Sequence, residues 1–148
     1  MPRDIEEIRQ VLPLRYPYLM LDRIVEEKEG YVAARKNVTI NEPFFQGHFP
    51  EPLPAIMPGT LIVEAMAQTA AFLLPRDAGT IGYLVGIEKA RFRRNVVPGD
   101  QLLLQARAKR KRKQLVEAEV TASVEGELAA TAIITLLTAR KEDVGQTH

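Results

Sequence analysis

Alternation of apolar and polar side chains is clearest at 115–124, where Val116, Ala118, Val120, Ala122 and Val124 interleave with Glu117, Glu119, Thr121 and Ser123. A period of two places every second side chain on one face, which predicts a strand with one buried and one solvated side. Strand-like stretches are also expected over 81–92, 101–113 and 127–139, with Pro98-Gly99 and Glu125-Gly126 as turns between them. Nearer the start, β-branched and apolar residues over 18–29 and 31–39 flank Gly30 and predict a hairpin.

The period changes in two places. Asp4 followed by Glu7, with Ile5, Ile8 and Leu12 at helical spacing, predicts a short capped helix that Pro13 ends. Residues 59–74 are good helix formers, apolar on nearly every side, and Pro75 stops the run. Such a helix is expected to be buried all round, apart from a narrow polar stripe of Thr60, Glu64 and Gln68 spaced four apart. Between these elements, residues 43–58 hold five prolines and no regular element is expected there. Phe44, Phe45, Phe49, Ile56 and Met57 make that segment too apolar for a solvated linker, so it is read as an ordered loop packed on the domain. The resulting expectation is an α+β fold, one domain over 1–148, with an antiparallel sheet of about six strands wrapped around one long central helix and a flexible tail at 141–148.

Composition narrows the chemistry. With 20 Lys and Arg against 19 Asp and Glu the net charge is +1, without the strong positive field of a nucleic-acid-binding domain. The absence of cysteine removes disulfides, thiol nucleophiles and cysteine-based metal sites, and two histidines limit metal binding further. The longest apolar stretch, 61–74, is shorter than the ~20 residues that span a bilayer, and the acidic start lacks a signal-peptide pattern. A cytoplasmic location without membrane association is the expectation.

Three features carry possible chemistry. Glu64, a carboxylate on an apolar helix, must reach water, find a partner or take up a proton. It is read either as a structural hydrogen-bonding partner of Gln68 or as an acid of raised pKa that Gln68 orients. His48, in the apolar loop leading to that helix, is either a satisfied structural residue or a base, and His148 at the chain end is a poor substitute for it. Pro58-Gly59-Thr60 is a plain helix start or a set of free N–H groups that a carbonyl oxygen can approach. Together, base, acid and N–H donors suit proton removal next to a carbonyl.

Several segments resemble the 3-hydroxyacyl-acyl-carrier-protein dehydratases of the FabZ type, which have the hotdog fold. They are Leu12-Pro13 with Arg15-Tyr16-Pro17 and Asp22-Arg23, the run from Lys36 to Pro50 containing Gly47-His48-Phe49-Pro50, Met57-Pro58-Gly59 through Glu64 to Gln68, and Gly86 to Arg94 with Val97 to Asp100. The resemblance implies a lyase of fatty acid or related acyl-chain biosynthesis that converts 3-hydroxyacyl thioesters to trans-2-enoyl thioesters and requires no metal or redox cofactor. His48 would be the base, Glu64 the acid, and Gly59 and Gln68 would bind the substrate. It also implies an acyl carrier protein as partner, and homodimers, or trimers of dimers, in which the two catalytic residues of a site come from different subunits. Arg91, Arg93 and Arg94, and the basic run 109–113, are expected to help dock the acidic carrier, the alternative being ordinary solvated surface. Two departures stand out: Leu14 replaces the family's usual histidine, and the loop from His48 to Met57 is about two residues longer. A hotdog thioesterase, with Glu64 activating water or attacking the thioester, and a non-catalytic acyl-binding or scaffold subunit are the rival readings.

Overall fold

In the computed structural model, which describes residues 2–145, six strands form a single antiparallel sheet. They are β1 (Arg23–Lys28), β2 (Tyr31–Asn37), β3 (Thr80–Phe92), β4 (Gln101–Arg112), β5 (Leu115–Val124) and β6 (Glu127–Arg140), ordered β1-β2-β4-β5-β6-β3. The Glu125-Gly126 turn joins β5 to β6 with φ of 50° and 81°, the left-handed pair that a tight hairpin requires. One face of the sheet packs on α2 (Gly59–Ala70), whose Ala65, Met66 and Ala70 have no exposed surface. The opposing strand residues Ala34, Ala106, Ala118 and Ala122 are equally buried, and their small side chains leave room for the helix inside the curved sheet. This sheet wrapped on a helix is the α+β arrangement expected from the sequence pattern and the hotdog fold that the resemblance implies.

The short helix α1 (Ile5–Val11) carries a complete capping box between Asp4 and Glu7. The central helix is shorter than residues 59–74: after Ala70 the chain tightens into a 3₁₀ turn, Ala71–Leu73, before Pro75. Its burial is nearly all round from Ile62 onward, with the first turn and Glu64 less covered.

Three expectations change. Residues 18–22 are not strand, because the Gln68 side chain takes up the carbonyl of Tyr18 and the N–H of Met20, groups a ladder would otherwise need. The proline-rich segment does contain a regular turn, a 3₁₀ helix at Pro43–Gln46, with Pro43 at the position where no N–H is required. The expected flexible tail begins as an ordered 3₁₀ turn, Lys141–Asp143, held by Lys141 N–H to the carbonyl of Gly79 at 2.8 Å; residues 146–148, His148 among them, lie outside the described residues.

Candidate active site

His48 leaves the 3₁₀ turn with its backbone N–H on the carbonyl of Phe44, 2.9 Å away. Eight residues later the loop returns, and the carbonyl of Ile56 lies 2.7 Å from His48 Nδ1. A carbonyl only accepts, so this contact places the ring hydrogen on Nδ1 and leaves the Nε2 lone pair as the basic site. The loop is then tied down by Met57 N–H to the carbonyl of Val96, at 2.8 Å. Upstream, Lys36 on β2 holds Glu42 in a 2.8 Å ion pair, with the lysine side chain almost wholly buried.

Glu64 sits on α2 one turn before Gln68. Gln68 Nε2 donates to Glu64 Oε2 at 2.7 Å and to the carbonyl of Tyr18 at 2.9 Å, while its Oε1 accepts from Met20 N–H at 2.8 Å. Burial pushes the Glu64 carboxyl above its ordinary value, against the lowering effect of hydrogen bonds from Gln68 and Tyr18. The Glu64 charge in turn raises the Tyr18 phenol, with smaller contributions from burial and from their hydrogen bond. Glu64 and Gln68 open onto a cavity of about 590 Å³, whose apolar walls include Leu12, Leu14, Ala67, Ala71 and Leu136. A carboxyl whose pKa is raised, at the wall of a largely apolar cavity, suits a general acid.

At the N-terminus of α2, Pro58 provides no side-chain cap, and the helix hydrogen bonds begin with Leu61 and Ile62 N–H to the carbonyl of Pro58. The earlier N–H groups of Gly59 and Thr60 point along the axis ahead of it. A Cβ on Gly59 would lie 3.0–3.3 Å from ring atoms of Phe92, so any larger residue there would push that ring back from the helix start by a few tenths of an ångström. Among the described residues no group of three or more His, Asp or Glu side chains converges to hold a metal ion, and no helix is long and apolar enough to cross a membrane.

A sequence model of the FabA-like domain matches residues 12–133. The chain is 50% identical over 135 residues to a 3-hydroxyacyl-[acyl-carrier-protein] dehydratase FabZ of Listeria monocytogenes serotype 4b (strain CLIP80459), covering 88% of this chain and 92% of that one. It is 47% identical over 135 residues to the enzyme of the same name from Streptococcus pneumoniae (strain CGSP14), covering 89% and 95%. The chain belongs to the FabA-like family. In fold it also matches the dehydratase heterocomplex ApeI:P from Xenorhabdus doucetiae, with a TM-score of 0.75, 17% identity and coverage of 94% and 95%.

The two positions at which the FabZ resemblance leads to expected departures fall in different places. Leu14 is part of the cavity wall near Glu64, while the longer loop forms the span between His48 and the Ile56 carbonyl that holds it. Glu64 and Gln68 are brought together, and Gly59 lies five residues, about 7.5 Å of helix rise, before Glu64. His48 is not among the residues lining the Glu64 cavity. Of the basic residues, Arg94 is committed to Asp100 and Glu127, at 3.3 and 3.0 Å, whereas Arg91 and Arg93 are exposed.

All of 109–113 is exposed, and a bulge between Ala108 and Arg110 breaks the alternation expected there. Pairing places Phe92 level with Ala130, Ala122 and Leu104. The 109–113 run therefore lies roughly 20–30 Å along the strands from Arg91 and Arg93, and the two clusters do not form one patch. Sequence reasoning missed Tyr18, whose only local signal was its place directly after Arg15-Tyr16-Pro17.

Proposed function

We propose that His48 and Glu64 are the base and acid of a 3-hydroxyacyl-acyl-carrier-protein dehydratase acting in fatty acid biosynthesis. The observation that carries the reading is the Glu64 carboxyl, gripped by Gln68 at the wall of a largely apolar cavity, where burial raises its pKa. His48 Nε2 removes a proton from C2 of the acyl chain, Glu64 passes its proton to the departing 3-hydroxyl, and a C2–C3 double bond forms as water leaves. Negative charge that develops on the thioester oxygen rests on Gly59 N–H. Gln68 acts on the substrate through Glu64, which it orients. The cavity beside Glu64 takes the acyl chain, and Leu14 makes its wall more apolar than a histidine would. A thioesterase would use Glu64 ionised, to attack or to activate water; the setting of His48, in the loop leading to the helix that carries Glu64, supports the dehydratase reading instead.

The carrier protein delivers the substrate, with Arg91 and Arg93 as its docking cations and Arg94 as an internal strut. The working unit is a homodimer, the site taking His48 from one subunit and Glu64 from the other. Two observations support this: the Glu64 cavity is not lined by His48 of the same chain, and the edge strand β3 exposes Leu84, Val85, Ile87 and Phe92. A long apolar edge invites pairing with another copy. A cytoplasmic location is part of the same proposal.

His48→Ala and Glu64→Ala should each remove ~10²–10⁴-fold of the turnover while remaining folded. Refolding the two inactive chains together should restore part of the activity, because some heterodimer sites then hold both groups. Near-parental turnover of either folded variant would refute its role, and no recovery in a verified heterodimer would place both groups in one chain.

A further inference from the structure

The rings of His48 and Phe49 stack with centroids 4.3 Å apart and planes within 20°. Consecutive side chains point to opposite faces of an extended strand and about 100° apart on a helix, so neighbouring rings do not ordinarily lie face to face. Phe49 achieves it with φ of 56°, a left-handed conformation in which a bulky side chain is strained and glycine is not. Core burial does not account for the ring's position, since Phe49 is 45% exposed. Strain of this kind persists only where the surroundings impose it, and it is concentrated at functional sites.

We infer that Phe49 is a positioning residue for His48, its ring fixing the tilt of the imidazole while the Ile56 carbonyl fixes its in-plane direction. The two restraints are complementary. A hydrogen bond at Nδ1 leaves the ring free to rock about the Nδ1···O line, and a flat neighbour at stacking distance removes that motion. Nε2 is then held on one bearing before substrate arrives. The aromatic face also favours the cationic imidazole that forms when Nε2 takes a proton. This inference rests on the assignment of His48 as the base.

The test compares Phe49→Leu, Phe49→Gly and Phe49→Tyr with His48→Ala, by steady-state kinetics on a 3-hydroxyacyl thioester and by thermal melting. Leu keeps bulk without an aromatic face, and Gly relieves the backbone while deleting the ring. Both should lower kcat by about tenfold or more with KM changed by less than about twofold, since misplacing a catalytic group costs turnover rather than binding. Tyr should restore kcat. Phe49→Gly should melt at or above the parental Tm, an opposite sign for activity and stability that a ring serving only to pack would not produce. Parental kcat in the Leu and Gly variants beside an inactive His48→Ala overturns this inference alone, as does a joint loss of kcat and Tm in all three Phe49 variants. An active His48→Ala overturns it together with the assignment of the base.

Discussion

Gln68 uses its whole amide: one hydrogen goes to Tyr18, the other to Glu64, and its oxygen accepts from Met20. Because an N–H needs a lone pair to point at, the donation to Glu64 Oε2 favours the carboxyl tautomer that carries its proton on Oε1. On the proposed chemistry, Gln68 would thus select the oxygen that delivers the proton as well as orienting the group. The raised pKa of Glu64 also has a consequence for stability. With the neutral form favoured in the fold, the unfolded chain ionises first as pH rises, so this group's contribution is present below the ordinary carboxylate range and is lost towards the folded pKa. Glu64→Gln has no proton to lose. The Tm of Glu64→Gln relative to the parent should therefore grow from acid pH upward and level off above the raised pKa, which melting curves from about pH 4 to 8 would record; a constant difference would mean that Glu64 is not perturbed. The spacing of Glu64 and Gln68 made this pair legible in the sequence. Tyr18 was not, because its approach to Glu64 depends on how residues 15–20 cross the helix, and no periodicity encodes that.

At the level of elements, the Lys36–Glu42 pair links β2 to the 3₁₀ turn that launches His48. Removing one partner leaves a largely buried charge without its counterion, so Lys36→Met should destabilise by about 2–4 kcal/mol, and the double variant Lys36→Met/Glu42→Leu should recover most of that loss in chemical denaturation. Failure of the double variant to recover would show that the lysine acts through packing instead. Elements defined by local alternation and turns were readable: β5 spans 115–124 as expected, and β4 and β6 differ from expectation by one residue at an end. Elements defined by partners were not. Residues 18–22 continue the apolar run that leads into β1, yet a glutamine 48 residues beyond Met20 bonds their backbone. Local pattern is equally silent on the two register shifts of β3, where the strand pairs with β6, and on the left-handed Phe49.

For the molecule as a whole, β3 occupies an edge of the sheet with 13 residues, roughly 43 Å of strand. The pattern of 81–92 gave the strand but not its position at the edge, which depends on pairing with β6 rather than on anything within the stretch itself. Its Leu84, Val85 and Ile87 are exposed in a single chain. Arg91 and Arg93 stand at the Gly59 end of the sheet and the 109–113 run at the other, so the surface carries two separate basic regions, of which only the first is near the helix start.

In the proposed homodimer the open edge of β3 would also govern how activity scales with the amount of enzyme. If each working site is completed across that edge, a lone chain is inert, and the concentration of sites follows mass action rather than simple proportion. Well above the dissociation constant of the pair, the rate rises linearly with protein. Below it, the rate rises with the square, so specific activity falls on dilution and returns on concentrating the same sample. A charged residue at the edge, as in Ile87→Lys, should move that crossover to higher protein concentration. Specific activity that stays constant through dilution to demonstrated monomer would show that one chain suffices.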